Sequence, residues 1–171
     1  MANEIVHVIR SAGRSFTQEE WGEYCRASRD DYSKRLVTTF GKFDFNDCDV
    51  CLNPNVLTLA ISGKWKYYVT LKWADCGNGF WSWACDYATD TGGGGSGVSF
   101  ADKPWNEKSK NHYGEGVRTE LDAKIQACEE ALRWLRNAYT KNDKVEKLIL
   151  MVEEYKAKLK PKYVQLELFD F

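Results

Sequence analysis

The chain has 171 residues, 43% of them hydrophobic and 14% aromatic, with a formal net charge of −1 at pH 7. This length fits one domain, and the aromatic content supplies apolar area that disordered chains lack. A near-neutral balance excludes a globally basic nucleic-acid binder and a strongly acidic DNA mimic. No apolar run reaches the roughly 20 residues that span a bilayer, and residues 1–10 lack the pattern of a secretory signal. We therefore expect no membrane association and a location in the cytoplasm.

The first predicted helix begins at a capping box. Thr17 and Glu20 have the T-x-x-E spacing in which each side chain accepts a hydrogen bond from the other residue's N–H. Apolar residues follow at helical spacing, so we expect a helix over about residues 17–37. Gly41 is the predicted end of that helix, because glycine adopts the left-handed conformation common after a helix.

Three strands are predicted next, over residues 56–62, 66–74 and 80–88. Apolar and polar residues alternate in each of them, and turn residues separate them, which is typical of an antiparallel meander. Leucines and aromatic residues share one face, whereas the other face is mostly polar. The pattern therefore predicts a one-sided sheet whose aromatic face needs a helical cover.

A glycine-rich segment follows the third strand and is predicted to be a loop. Its members are Gly92, Gly93, Gly94, Gly95, Ser96 and Gly97. Unobstructed N–H groups in such a loop can surround a phosphate, but the lysine and helix of a Walker-type site are missing. A loop that only needs glycine conformations is the alternative. Residues 98–105 have the mixed composition of a binding loop, and Trp105 and His112 are candidates to complete a ligand site.

Two helices are predicted in the C-terminal third, where Thr119 caps the first and Asn142 precedes the second. Their apolar stripes and short connection indicate an antiparallel helical hairpin, which Pro161 ends. We therefore predict an α+β domain over residues 1–162, with the meander packed against the N-terminal helix and this hairpin. Residues 163–171 form a tail that either docks on a partner or adds an extra strand to the sheet edge.

The six cysteines are expected to be reduced, because the chain lacks the features of a small secreted disulfide protein. Cys48 and Cys51 have C-x-x-C spacing, but no second compact pair accompanies them. We therefore predict neither a metal nor another cofactor, with a zinc site at these thiols as the alternative. Catalytic signatures are also missing, so we expect a binding protein; an enzyme site around His112 and the glycine loop is the least supported alternative.

The tail contains a short motif, Q-L-x-L-F, formed by Gln165, Leu166, Leu168 and Phe169. It resembles the peptide by which bacterial and phage replication and repair proteins dock on the sliding clamp. The resemblance implies that polar groups of the clamp hold the glutamine, while the leucine and aromatic side chains fill an apolar pocket. The same residues alternate well enough for a strand packed on the domain, and an unrelated disordered tail is a third interpretation.

The body, from W-S-W-A through the glycine run to the helix around Trp134, resembles uncharacterised proteins of phages and mobile elements of gut bacteria. The resemblance implies a role in DNA replication, repair or host defence, inside a bacterial cell or phage-infected host. The expected partner is therefore a sliding clamp or a host defence effector. An anti-defence inhibitor, such as an anti-CRISPR protein or a protein that sequesters a signalling nucleotide, is the alternative. Lys66, Tyr68 and Lys72 on the polar sheet face also predict weak nucleic-acid contact.

Overall fold

The computed structural model describes residues 17–20, 37–46, 48–61, 67–108, 113–138 and 142–159. Within these ranges the chain is α+β, as predicted, with the strands preceding two helices. The strands are β1 (Val37–Phe40), β2 (Phe43–Asn46), β3 (Asn55–Ala60), β4 (Tyr68–Asp75), β5 (Trp81–Thr89), β6 (Gly92–Gly95), β7 (Lys103–Pro104) and β8 (Glu115–Gly116). The helices are α1 (Glu120–Arg136) and α2 (Asp143–Leu159).

The predicted capping box is present at Thr17. The Thr17 N–H donates to Glu20 Oε2 at 2.9 Å, and the Glu20 N–H donates to Thr17 Oγ1 at 3.2 Å. Most of the helix predicted to follow lies outside the described residues. Its predicted end at Gly41 is wrong, because β1 and β2 pair as an antiparallel hairpin and Gly41, with φ of 59°, lies in the turn between them.

The main sheet has four antiparallel strands in the order β3-β4-β5-β6. The three predicted strands are its first three members. The fourth is Gly92–Gly95, which pairs with Asp86–Thr89, so the prediction of a loop at these glycines is wrong. The hydrogen bonds between paired strands join backbone groups and need no side chains. A run of glycines lacks the apolar–polar alternation by which a strand is recognised in a sequence.

Helices α1 and α2 cover the aromatic face of this sheet and build the first core, as the alternation predicted. The sheet contributes Tyr67, Val69, Leu71, Trp73, Trp83 and Cys85. The buried stripe of α1 includes Ala123, Ala127 and Ala131, which let the helix approach the sheet closely. Leu121, at the start of α1, lies outside this buried stripe and is 39% exposed.

A second core covers part of the opposite face, so the prediction of a one-sided sheet is wrong. Its members are Phe43, Phe45, Cys51, Ala74, Cys76, Phe80, Ala84, Val98, Phe100 and Ala101. The segment predicted as a binding loop therefore contributes Val98, Phe100 and Ala101 to a core. Among the described residues, the other end of this sheet face, around Thr70, Lys72 and Asp86, is partly exposed.

The helical hairpin is held by apolar packing and by two ion pairs between its helices. Arg136 contacts Glu153 at 2.7 Å, and Lys156 pairs with Glu129. Helix α2 is described as far as Leu159, and the predicted domain boundary at residue 162 lies outside the described ranges. In the part of the chain that the structure describes, no helix has both the length and the apolar content for crossing a bilayer.

Candidate functional site

An open groove of about 520 Å³ lies between the glycine strand and the accessible part of the sheet face. Its lining residues are Tyr68, Lys72, Asp86, Tyr87, Ala88, Gly93, Gly94, Gly95, Ser96 and Gly97. Five of the six residues predicted as a ligand loop thus line one concavity. Gly93, Gly94 and Gly95 belong to the edge strand β6, and Ser96 and Gly97 follow it directly.

The charges in this groove compensate each other. The Lys72 ammonium pairs with the Asp86 carboxylate and also donates to the Ser96 carbonyl at 3.3 Å. Two of its three hydrogen-bond donors are therefore engaged. In addition, successive N–H groups of an extended strand alternate in direction and cannot converge on one phosphate as they do in a nest. The groove consequently suits a neutral or zwitterionic surface better than a phosphate.

Glycine is required at two positions of β6, Gly93 and Gly95, because β5 occupies the space that a Cβ would fill there. A Cβ on Gly93 would lie 2.5 Å from the Tyr87 carbonyl oxygen, and one on Gly95 would overlap the Asp86 carboxylate. At Gly94 the nearest atom is Tyr87 Cε1, at 3.1 Å. The Tyr87 ring and the Asp86 carboxylate thus extend across β6, one on each face of the sheet.

We expect Gly93→Ala to lower the free energy of unfolding by about 1–3 kcal/mol, because a backbone carbonyl cannot move away as a side chain can. Gly94→Ala is the matched control, since the Tyr87 ring need shift only slightly. Urea unfolding of both variants measures the difference. Equal losses at the two positions would contradict the close approach at Gly93.

On the helix side of the sheet, the half-buried Tyr87 forms an aromatic pair with the exposed Trp134. Their rings are stacked, with centroids 6.0 Å apart and an interplanar angle of 23°. Trp134 is 42% exposed, and the Arg133 guanidinium lies over its ring at 5.9 Å. Trp134 was not among the functional residues predicted from the sequence. The available signal was its position outside the apolar stripe of α1, where a large aromatic side chain is unusual.

Trp105, predicted to complete a ligand site with the glycines, does not line the groove. Its ring contacts Trp83 edge-to-face, with centroids 5.9 Å apart, and packs against the first core. Trp83 precedes the part of β5 that pairs with the glycine strand, so Trp105 serves packing elsewhere on the sheet. His112, the other candidate, lies outside the described residues.

The C-x-x-C cysteines occupy different environments. Cys48 is exposed, whereas Cys51 is buried in the second core, where desolvation raises the pKa of its thiol. Burial likewise raises the pKa of the Cys128 thiol to about 12. Among the described residues no group of three or more histidine, cysteine or acidic side chains could hold a metal ion. The zinc alternative therefore gains no further ligand from the described part of the chain.

The remaining predicted contact residues divide into two groups. Tyr68 and Lys72 lie on the accessible sheet face, although the charge of Lys72 is balanced by Asp86. Lys66 and the tail residues Gln165, Leu166, Leu168 and Phe169 lie outside the described residues. Nucleic-acid contact and clamp docking both stay predictions.

Comparisons with known proteins identify no relative. No family model matches the chain, and neither a curated protein nor a solved structure matches it.

Proposed function

We propose that this chain is a non-enzymatic binding protein of phage or mobile-element type that acts in bacterial DNA replication or repair. It docks on the sliding clamp through Gln165, Leu166, Leu168 and Phe169, in the bacterial cytoplasm where the clamp works. The observation that carries the proposal is the Q-L-x-L-F motif itself. The motif combines a glutamine with three apolar side chains. Such a peptide can bind tightly through a few side chains that become buried in the partner.

The packing of the body supports this assignment. The aromatic face of the sheet is covered by α1 and α2, so the tail is not needed to bury that face. Pro161 follows the described end of α2 and lacks the N–H that a continuing helix requires. The motif therefore begins a few residues after a proline that disfavours continuation of the helix. A docking peptide must be free of the helix in this way if it is to bind a partner.

Calorimetric titration of the full chain into a purified bacterial sliding clamp tests the proposal. We expect saturable binding that Gln165→Ala and Phe169→Ala each weaken about tenfold or more, because each variant removes an anchor. Glu167→Ala is the matched control, since it changes the variable position inside the motif and should leave the affinity unchanged. Absence of binding by the full chain, or equal affinities for all variants, would refute clamp docking.

The exposed glycine strand favours a second candidate, an anti-defence inhibitor that blocks a host effector. In the adjoining groove the charge of Lys72 is balanced by Asp86, and Lys72 also donates to the Ser96 carbonyl. These contacts favour an inhibitor that binds its target through a complementary surface over one that captures an anionic signalling nucleotide. A nucleotide released from the purified chain on denaturation would instead favour the sequestering form.

A further inference from the structure

The outer edge of β6 presents backbone groups to solvent. The Ser96 N–H donates to the Cys85 carbonyl at 3.2 Å, so Ser96 faces inward toward β5. Inward and outward residues alternate along an antiparallel strand, and the outward ones are therefore Gly93 and Gly95. In the described part of the chain β6 pairs with β5 alone, and all four of its residues are exposed.

The side chains at this edge come from neighbouring elements, because β6 has none. Tyr87 extends over Gly94 and stacks on Trp134, and these two rings form what we call the aromatic shelf. On the other sheet face Asp86 extends over Gly95 and pairs with Lys72. A strand placed beside β6 would thus meet the aromatic shelf on one face and a compensated ion pair on the other.

We propose that the edge of β6 binds an extended peptide segment of a partner protein as a fifth strand of the sheet, with an aromatic side chain on the aromatic shelf. Main-chain hydrogen bonds to Gly93 and Gly95 would hold the peptide, and the shelf would select the residue opposite Gly94. Paired residues of adjacent strands point to the same face, and Gly94 shares its face with Tyr87. This site is independent of the proposed clamp docking.

The geometry favours a peptide over a second copy of the chain. Two copies paired through β6 would place one glycine strand against another, and neither strand would bring a side chain to the aromatic shelf. A peptide with an aromatic residue supplies a flat apolar group that stacks on the exposed Trp134 ring. Four paired residues on each side are also a small contact for a stable dimer.

Titration of the 15N-labelled full chain with a synthetic peptide tests this site. The probe is a blocked peptide with phenylalanine between two threonines on each side and a terminal lysine for solubility. We expect saturable shifts of the Gly92–Gly95 amide signals. Replacing the phenylalanine by serine, or Trp134 by alanine, is expected to weaken binding about tenfold, because each change removes one stacking partner. Leu150→Ala, at another exposed apolar residue on a helix, is the control and should not change the affinity.

N-methylated forms of the same peptide distinguish strand addition from simple apolar contact. In an antiparallel fifth strand the N–H groups of the two threonines that flank the phenylalanine would face β6, so methylation of both should abolish binding. Methylation of the phenylalanine N–H, which would point away from β6, should preserve binding. The proposal is overturned if the glycine signals do not shift, if the two methylated peptides bind alike, or if sedimentation shows a dimer that holds the β6 edge.

Discussion

Replacing Phe100 by alanine is expected to lower the free energy of unfolding by about 3–5 kcal/mol, as for other fully buried phenylalanines. Phe100 is completely buried in the second core. Its ring centroid lies 5.4 Å from that of Phe40 and 5.5 Å from that of Phe45. The substitution leaves a cavity between these rings, and the sheet on one side and the β1–β2 hairpin on the other limit its collapse.

Denaturant unfolding followed by tryptophan fluorescence measures this loss, because Trp81 packs against the same core. Leu52→Ala is the control, since Leu52 adjoins Cys51 of the same core but is 55% exposed. It should change the stability by less than about 0.5 kcal/mol. If both variants lost the same amount, residues 98–101 would be a surface loop and the second core would be refuted.

Leu148→Ala is expected to lower the free energy of unfolding by about 2–5 kcal/mol. Leu148 is fully buried in the first core, where α2 packs with α1 against the aromatic face of the sheet. Removal of three heavy atoms loses their transfer free energy and leaves a void that the two helices cannot fully close. Such a loss is a large part of the about 5–15 kcal/mol that stabilises a typical domain.

Leu150→Ala provides the matched control for this experiment. It makes the same chemical change two residues further along the same helix, where the side chain is 57% exposed. Helix propensity is nearly equal for the two residue types, so its effect should stay within about 0.5 kcal/mol. Thermal unfolding monitored by circular dichroism compares the pair. Similar losses at both positions would show that α2 does not pack on the sheet through Leu148.

Features with a strong local signal could be predicted from the sequence. The Thr17–Glu20 capping box follows from spacing alone, because its hydrogen bonds join residues three apart. The strands β3, β4 and β5 follow from alternation over several residues, and the apolar stripe of α2 follows from helical spacing. A helix or strand that is buried along one face has apolar residues at a regular spacing. That spacing can be recognised within the segment itself.

The candidate site could be predicted only in part. The glycines at 92–97 were recognised as an unusual run. Their role as an edge strand depends on pairing with β5, and a run of glycines has no apolar–polar alternation from which that pairing could be predicted. Trp134 joins the site because α1 crosses the sheet beside Tyr87, forty-seven positions earlier in the chain. Trp105 was assigned to the site from sequence proximity, and the structure places it on Trp83.

The sequence by itself determined the α+β class, the antiparallel pairing of three strands and the helical hairpin, since each rests on local periodicity and short connections. Tertiary structure decided that Phe100 belongs to a core, that the sheet is covered on part of its second face, and that Gly92–Gly95 forms an exposed edge. These outcomes depend on which distant segments meet. Which segments make contact depends on how the shapes and volumes of their packed surfaces fit together. The residue pattern within a single segment gives no information about that fit.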